Sequence, residues 1–141
     1  MNFVLLDTNV ILDYAEEREG FYEAAKEIFE TIKRRELVGC VSASAITDIF
    51  YFLQKYCNDS GIALTLLKKL IQFLEIIAVD RRTIDAAIAS GMSDFEDAVQ
   101  AAAAMHNGID MIITRDGAGF RNSGLRVYTP EEFLDSLHYQ T

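Results

Sequence analysis

The sequence predicts an α/β protein, a doubly wound parallel sheet of about five strands with helices on both faces. Three observations predict it. Short apolar runs alternate with longer segments of helical period. The apolar runs are too continuous for strands wetted on one face. No repeat, low-complexity tract or Pro/Ser-rich linker interrupts the 141 residues, whose one proline is Pro130. A single domain over residues 1–141 follows, long enough to bury roughly 70% of the surface its unfolded chain exposes, so no disulfide or metal staple is needed for folding.

Residues 3–6 (FVLL) leave no room for a helical period and read as a buried strand closed by Asp7. Segments 9–17 and 21–35 are helical, the second through Phe21, Ala24, Ala25, Ile28, Phe29 and Ile32, with Gly20 as the break between them. Residues 37–41 form the second strand, 46–56 a helix, and 62–74 another helix with Ile62, Leu66, Leu67, Leu70, Ile71 and Leu74 on one stripe. A third strand is expected at 76–79, a helix at 83–89 and a longer one at 94–107, closed by Gly108. Residues 111–113 make strand four and 126–128 an edge-like fifth. Thr129 to Glu132 form a capping box with Pro130 at the first helical position, opening a last helix that runs through residue 137.

Thirteen Lys and Arg stand against 22 Asp and Glu, a net charge of −9. That balance excludes a protein that holds nucleic acid by bulk charge, but not a nuclease, which concentrates carboxylates in one place to hold cations. The apolar stretches, such as residues 101–105, fall far short of the ~20 residues that span a bilayer, so no membrane partner is expected. The opening residues carry no basic n-region or small-residue cleavage site, and Cys40 and Cys57 sit in no ligand spacing, so a cytoplasmic protein with reduced cysteines is expected.

In a doubly wound sheet, ligands bind beyond the carboxyl ends of the strands. Asp7 closes strand one, and Asp116 follows strand four by a short step, so both belong at that edge. Asp48 lies early in the helix after strand two. Asp94 and Asp97, three residues apart, open the helix before strand four and share a face. Helix capping alone could explain Asp94, Asp97 and Asp48; strand-end Asp7 and post-strand Asp116 cap nothing obvious. At ~5 Å and an effective dielectric near 20, each close pair of carboxylates costs on the order of 3 kcal/mol before screening. A cation must offset that, and oxygen donors without imidazole or thiolate suit Mg²⁺ or Mn²⁺. His106 and His138 read as a helix end and a tail residue.

The stretch from Asp7 through Thr8, Asn9, Val10, Ile11 and Leu12 to Asp13 resembles the opening motif of the PIN-domain nucleases. Ser42 with Asp48 resembles the second motif, Phe95 to Gln100 with Ala101 to Ala104 the third, and Thr114, Arg115 and Asp116 with Phe120 the fourth. The resemblance spans essentially the whole chain. It implies strand order 3-2-1-4-5 and a Mg²⁺- or Mn²⁺-dependent endoribonuclease acting on single-stranded or loop RNA. Free-standing members of this size are often VapC-like toxins covered by an antitoxin, and many form homodimers. Carried over, Asp7, Asp97 and Asp116 would ligate the metal with Asp48 completing the quartet, while Thr8, Asn9 and Thr114 would support the ligands. The second acid is usually Glu; Asp48 is one methylene shorter, and Asp94 is the alternative fourth acid. Arg115 and Arg121, flanking Asp116, are the candidate substrate contacts.

Rival folds fit less well. A haloacid-dehalogenase-type phosphatase needs an Asp where Asn9 stands, and a receiver domain needs a Lys after a late strand, where this chain offers Arg115. A catalytically weakened PIN-fold binding module, and an RNA-processing nuclease without an antitoxin, remain as alternatives.

Overall fold

β1 (Asn2–Leu6) is buried from Val4 onward and alternates between two cores: Val4 and Leu6 join the larger cluster, while Leu5 faces the opposite one. A strand apolar on both faces belongs in the middle of a covered parallel sheet. The computed structural model, which describes residues 2–139, places it there. β2 (Leu37–Ser42), β3 (Leu74–Ile77), β4 (Met111–Ile113) and β5 (Arg126–Tyr128) complete a five-stranded parallel sheet of order β3-β2-β1-β4-β5. The expected order is thus present.

Among the described residues, seven helices cover the sheet: α1 (Thr8–Ala15), α2 (Tyr22–Lys33), α3 (Ile46–Cys57), α4 (Ser60–Ile71), α5 (Arg81–Ala89), α6 (Phe95–His106) and α7 (Pro130–Tyr139). The larger core lies under α1 to α4 and α7, with Ile11, Ile28, Phe29, Leu53, Leu70 and Phe133 against β1 and β4. On the other face Leu5, Cys40 and Ile112 meet Ala101, Ala103 and Ala104 of α6 together with Phe120. Small residues let α6 lie close to the strands, which brings its N-terminal turn to the carboxyl edge of β1. Both cysteines are free; burial, with Glu75 adding to it, pushes the Cys40 thiol up to about 11, so it stays protonated.

The element boundaries differ from the periodicity by one or two residues at several helix ends and more tellingly around β3 and at the end of α2. α4 stops at Ile71 and β3 runs over Leu74–Ile77, not 76–79. Leu74 fits the helical stripe equally well, but its pairing opposite Gly39 recruits it to the sheet. α2 ends at Lys33, because Arg35 takes a left-handed φ of 61° to turn the chain into β2. The expected capping box is present: Thr129 N–H donates to Glu132 Oε1 at 2.9 Å and Glu132 N–H to Thr129 Oγ1 at 3.1 Å.

Gly39 on β2 is buried beneath α2, and a β-carbon there would stand 2.5 Å from Ile32 Cδ1 and 3.1 Å from Leu74 Cδ2. Gly39→Val should therefore cost roughly 1 to 3 kcal/mol through overpacking, measured by denaturant unfolding. Unchanged stability would mean that α2 lifts off the sheet freely.

Candidate active site

Asp7 ends β1 and is at once the N-cap of α1: its φ of −71° and ψ of 156° are extended, and its Oδ1 accepts from Thr8 N–H at 2.8 Å. The expectation that Asp7 caps nothing is therefore corrected, since the strand runs directly into the helix with no loop between them. Capping does not exhaust this carboxylate. Gln100 Nε2 on α6 donates to Oδ1 at 3.2 Å, and Thr114 Oγ1 after β4 donates to Oδ2 at 2.7 Å. Three donors from three elements hold a buried carboxylate in one orientation.

Thr114 is the second junction. Its hydroxyl donates to Asp7 and accepts from Asp116 N–H at 3.0 Å and from Asn9 Nδ2 at 3.4 Å, while Asn9 Oδ1 accepts from Arg115 N–H at 3.3 Å. Asn9 and Thr114 thus tie the Asp116 backbone to the end of β1. Thr8 contributes its backbone N–H and lines the cleft.

On α6 the two acids divide their work. Asp94 is the N-cap: its Oδ1 accepts from Asp97 N–H at 2.9 Å, so helix capping accounts for its place. The Asp97 carboxyl is left free of that duty and is pushed up to about 7. Burial is the largest cause, followed by the charges of Asp94, Asp7, Asp116 and Glu96. Asp116 begins a short 3-10 turn (Gly117–Phe120) without capping it. Asp97 and Asp116 flank Gly119 of that turn: a β-carbon on Gly119 would stand 2.6 Å from Asp97 Oδ2 and 3.7 Å from Asp116 Oδ2. The missing side chain leaves a gap between two carboxylates.

Asp7, Thr8, Ser44, Asp48, Phe52, Phe95, Asp97 and Gln100 line one cleft of about 420 Å³. Asp48 is on its wall, exposed in the first turn of α3. A larger cavity of about 670 Å³ lies between α2 and α7, but it contains no motif residue, so size does not locate the chemistry. Among the described residues no three acidic, imidazole or thiol groups are close enough, as placed, to hold a metal ion. The donor chemistry nevertheless fits a hard divalent cation. The donors are all carboxylates, their repulsion is uncompensated at Asp97, and the Gly119 gap leaves room between two of them.

The two arginines part company. Arg115 Nε and Nη2 donate to Asp13 Oδ2 at 2.6 Å and Oδ1 at 3.0 Å, and its guanidinium lies 3.8 Å from the Phe21 ring centroid. Asp13 is fully buried on α1, with Arg18 as a second cation at 3.5 Å. The fork expected to meet a phosphate is here engaged by an internal carboxylate. Arg121 is exposed at the end of the 3-10 turn and makes no ion pair among the described residues. Two participants escaped the sequence reading. Gln100 carried a signal, a polar side chain one turn after Asp97 in an alanine run; Asp13, a charge among Val10, Ile11 and Leu12, carried another.

The sequence profile of the PIN domain matches residues 3–118. The chain belongs to the PIN-domain family. This PIN domain is 28% identical over 137 residues to Ribonuclease VapC1 of Aquifex aeolicus (strain VF5), covering 94% of this chain and 93% of that protein. Among solved structures, VapBC2 from Rickettsia felis, bound to a DNA fragment from their promoter, superposes with a TM-score of 0.68 at 13% identity over 90% of this chain and 98% of that one. VapC20 of Mycobacterium tuberculosis, described as a Sarcin-Ricin loop cleaving toxin, superposes with a TM-score of 0.63 at 15% identity over 87% and 98%. At these identities the structural likeness establishes the shared PIN fold.

Two outcomes follow from the electrostatics. Because Asp97 holds its proton more tightly folded than unfolded, between pH ~4 and ~7 the unfolded chain has released a proton that the folded chain keeps. Its contribution to stability therefore falls as pH rises through that window and levels off above it. Thermal melts in EDTA from pH 4 to 8 should show this slope, and Asp97→Asn should flatten it. Arg115→Ala should cost about 3 kcal/mol in denaturant unfolding by leaving Asp13 buried with Arg18 alone, and adding Asp13→Asn should recover part of the loss. A loss below about 0.5 kcal/mol would make the pair an ordinary surface contact.

Proposed function

We propose that this PIN domain is a Mg²⁺- or Mn²⁺-dependent endoribonuclease, the toxin of a toxin–antitoxin pair acting in the cytoplasm. The observation that carries the reading is the uncompensated charge at Asp97, whose proton affinity is raised by burial and by Asp94, Asp7 and Asp116. Those acids stand at the carboxyl edge of the sheet, where such folds bind ligands. The family membership and the likeness to a ribonuclease support the activity. The toxin–antitoxin complexes among the structural neighbours, such as that from Klebsiella pneumoniae, support an antitoxin as partner.

Asp7, Asp97 and Asp116 would hold the cation, with Asp48 opposite on the cleft wall. Mg²⁺ or Mn²⁺ when bound supplies polarisation of a phosphoryl oxygen and activation of a water. The chain supplies the rest. Asp7 is held in one orientation by its three donors, and the Asp116 backbone is tied to the Thr114 hydroxyl. Asp97, its carboxyl pushed up to about 7 by burial and by the neighbouring acids, is where a cation would relieve the most repulsion. With Arg115 committed to Asp13, contacts to RNA fall to Arg121 and to the rings of Phe52 and Phe95 at the cleft, on which unpaired bases can stack. A binding module without cleavage is the second reading, favoured by the short, exposed Asp48.

An RNA panel with and without EDTA, run beside Asp7→Asn, decides between them. Cleavage should depend on the metal, leave 5′-phosphate and 3′-hydroxyl ends and open circular RNA. Asp7→Asn or Asp97→Asn should lower it by more than the roughly 10- to 100-fold that loss of a ligand-supporting residue costs, and Asp48→Asn by less. Products with 2′,3′-cyclic phosphates formed in EDTA would overturn the mechanism. Binding without Asp7-dependent cleavage would leave the module.

A further inference from the structure

Of the three donors to Asp7, the one from α6 is a side chain that the four acid motifs leave without a role. Gln100 follows Asp97 by three residues, so one helix face delivers both toward the end of β1. Its side chain is more than nine-tenths buried at 6% exposure, its Nε2 donates to Asp7 Oδ1, and its Oε1 is buried with no hydrogen-bond partner among the described residues. Turning the amide over would not cure this. It would aim Oε1 at the Asp7 carboxylate, lone pair against negative charge, and forfeit the charge-assisted bond. Asp7 therefore sets the orientation of the amide, and the orphaned acceptor is the consequence.

Packing does not account for a glutamine here. Its buried neighbours on α6 are Ala98, Val99, Ala101, Ala103 and Ala104. An apolar side chain of the same length would fill the space and leave no unsatisfied atom. What the amide adds is a third constraint on Asp7. Thr8 N–H and Thr114 Oγ1 supply one donor to each oxygen, from α1 and from the end of β4; Gln100 adds a second to Oδ1, from the helix that carries Asp97. The direction of the Asp7 carboxylate is thereby tied to the helix that bears Asp97.

We infer that Gln100 is a positioning residue for cation binding, acting through Asp7. This rests on the proposed reading of Asp7 as a cation-holding acid, but it makes a separate demand: removing the amide weakens cation affinity while leaving the fold intact, because an orphaned acceptor goes with it. A residue that merely braces the fold does the reverse.

The test uses the full chain as wild type, Gln100→Met and Asp7→Asn, with Mn²⁺ alone titrated by calorimetry and thermal melts recorded in EDTA. Gln100→Met should melt at or above the wild-type temperature while its Mn²⁺ dissociation constant rises roughly 10- to 100-fold, and Asp7→Asn should lose affinity further. Wild-type Mn²⁺ affinity in Gln100→Met, with Asp7→Asn impaired, overturns the inference and leaves the cation site standing. A Gln100→Met chain that unfolds or melts well below wild type in EDTA makes the amide structural and overturns it as well. A wild type that takes up no Mn²⁺ brings down the cation reading together with this one.

Discussion

Asp7 sits where the central strand becomes a helix, and its carboxylate receives hydrogen bonds from α1, from α6 and from the residue after β4. A buried anion is tolerated only if donors replace the water it has lost, so this one group requires all three elements to stand in a fixed relation. The sheet order provides it. β1 lies between β2 and β4, the small residues of α6 bring that helix close, and Thr114 leaves β4 next to Asp7. The rest of the cleft is hung on this arrangement, with Asp116 held through Thr114 and Asp97 delivered by the helix that carries Gln100.

Negative charge is distributed unevenly around that point. Asp7 and Asp13 are both buried acids on the same short segment, and their environments differ in kind. Asp13 is neutralised by Arg115 and Arg18, which makes it an internal tie between α1 and the chain beyond β4. Asp7 is surrounded by uncharged donors instead, and its carboxylate neighbours include Asp97. One acid is tied by cations within the fold and the other is held by uncharged donors at the cleft. With Arg115 drawn inward, an already acidic chain has little positive charge at its cleft.

Much of this was legible in the sequence because it depends on short-range pattern. The continuous apolar runs announce a covered parallel sheet, Thr129 with Glu132 announces a capped helix, and the acids at 7, 97 and 116 fall at strand and helix ends whose geometry is general. What was not legible depends on contacts between distant residues or on backbone angles. Arg115 looks like a substrate contact until Asp13, 102 residues away, is seen to occupy it. Asp94 and Asp97 are equivalent on paper; the extended φ and ψ of Asp94 make it the cap and leave Asp97 free. Asp7 caps a helix that periodicity placed slightly later, and Leu74 satisfies both a helical stripe and a strand until its pairing with Gly39 decides.

The placement of β1 also has a bearing on how the protein is made. The strand is made before the four others of the sheet but ends in its middle, and the donors that complete Asp7 lie at positions 100 and 114. Chains lengthen at about 5 to 20 residues per second, so for several seconds the nascent chain carries Asp7 without the partners that orient it. The cleft appears late and all at once, when β4 inserts beside β1. A chain interrupted before that strand holds the opening motif but lacks Thr114 and Asp116, so the end of β1 has no assembled cleft.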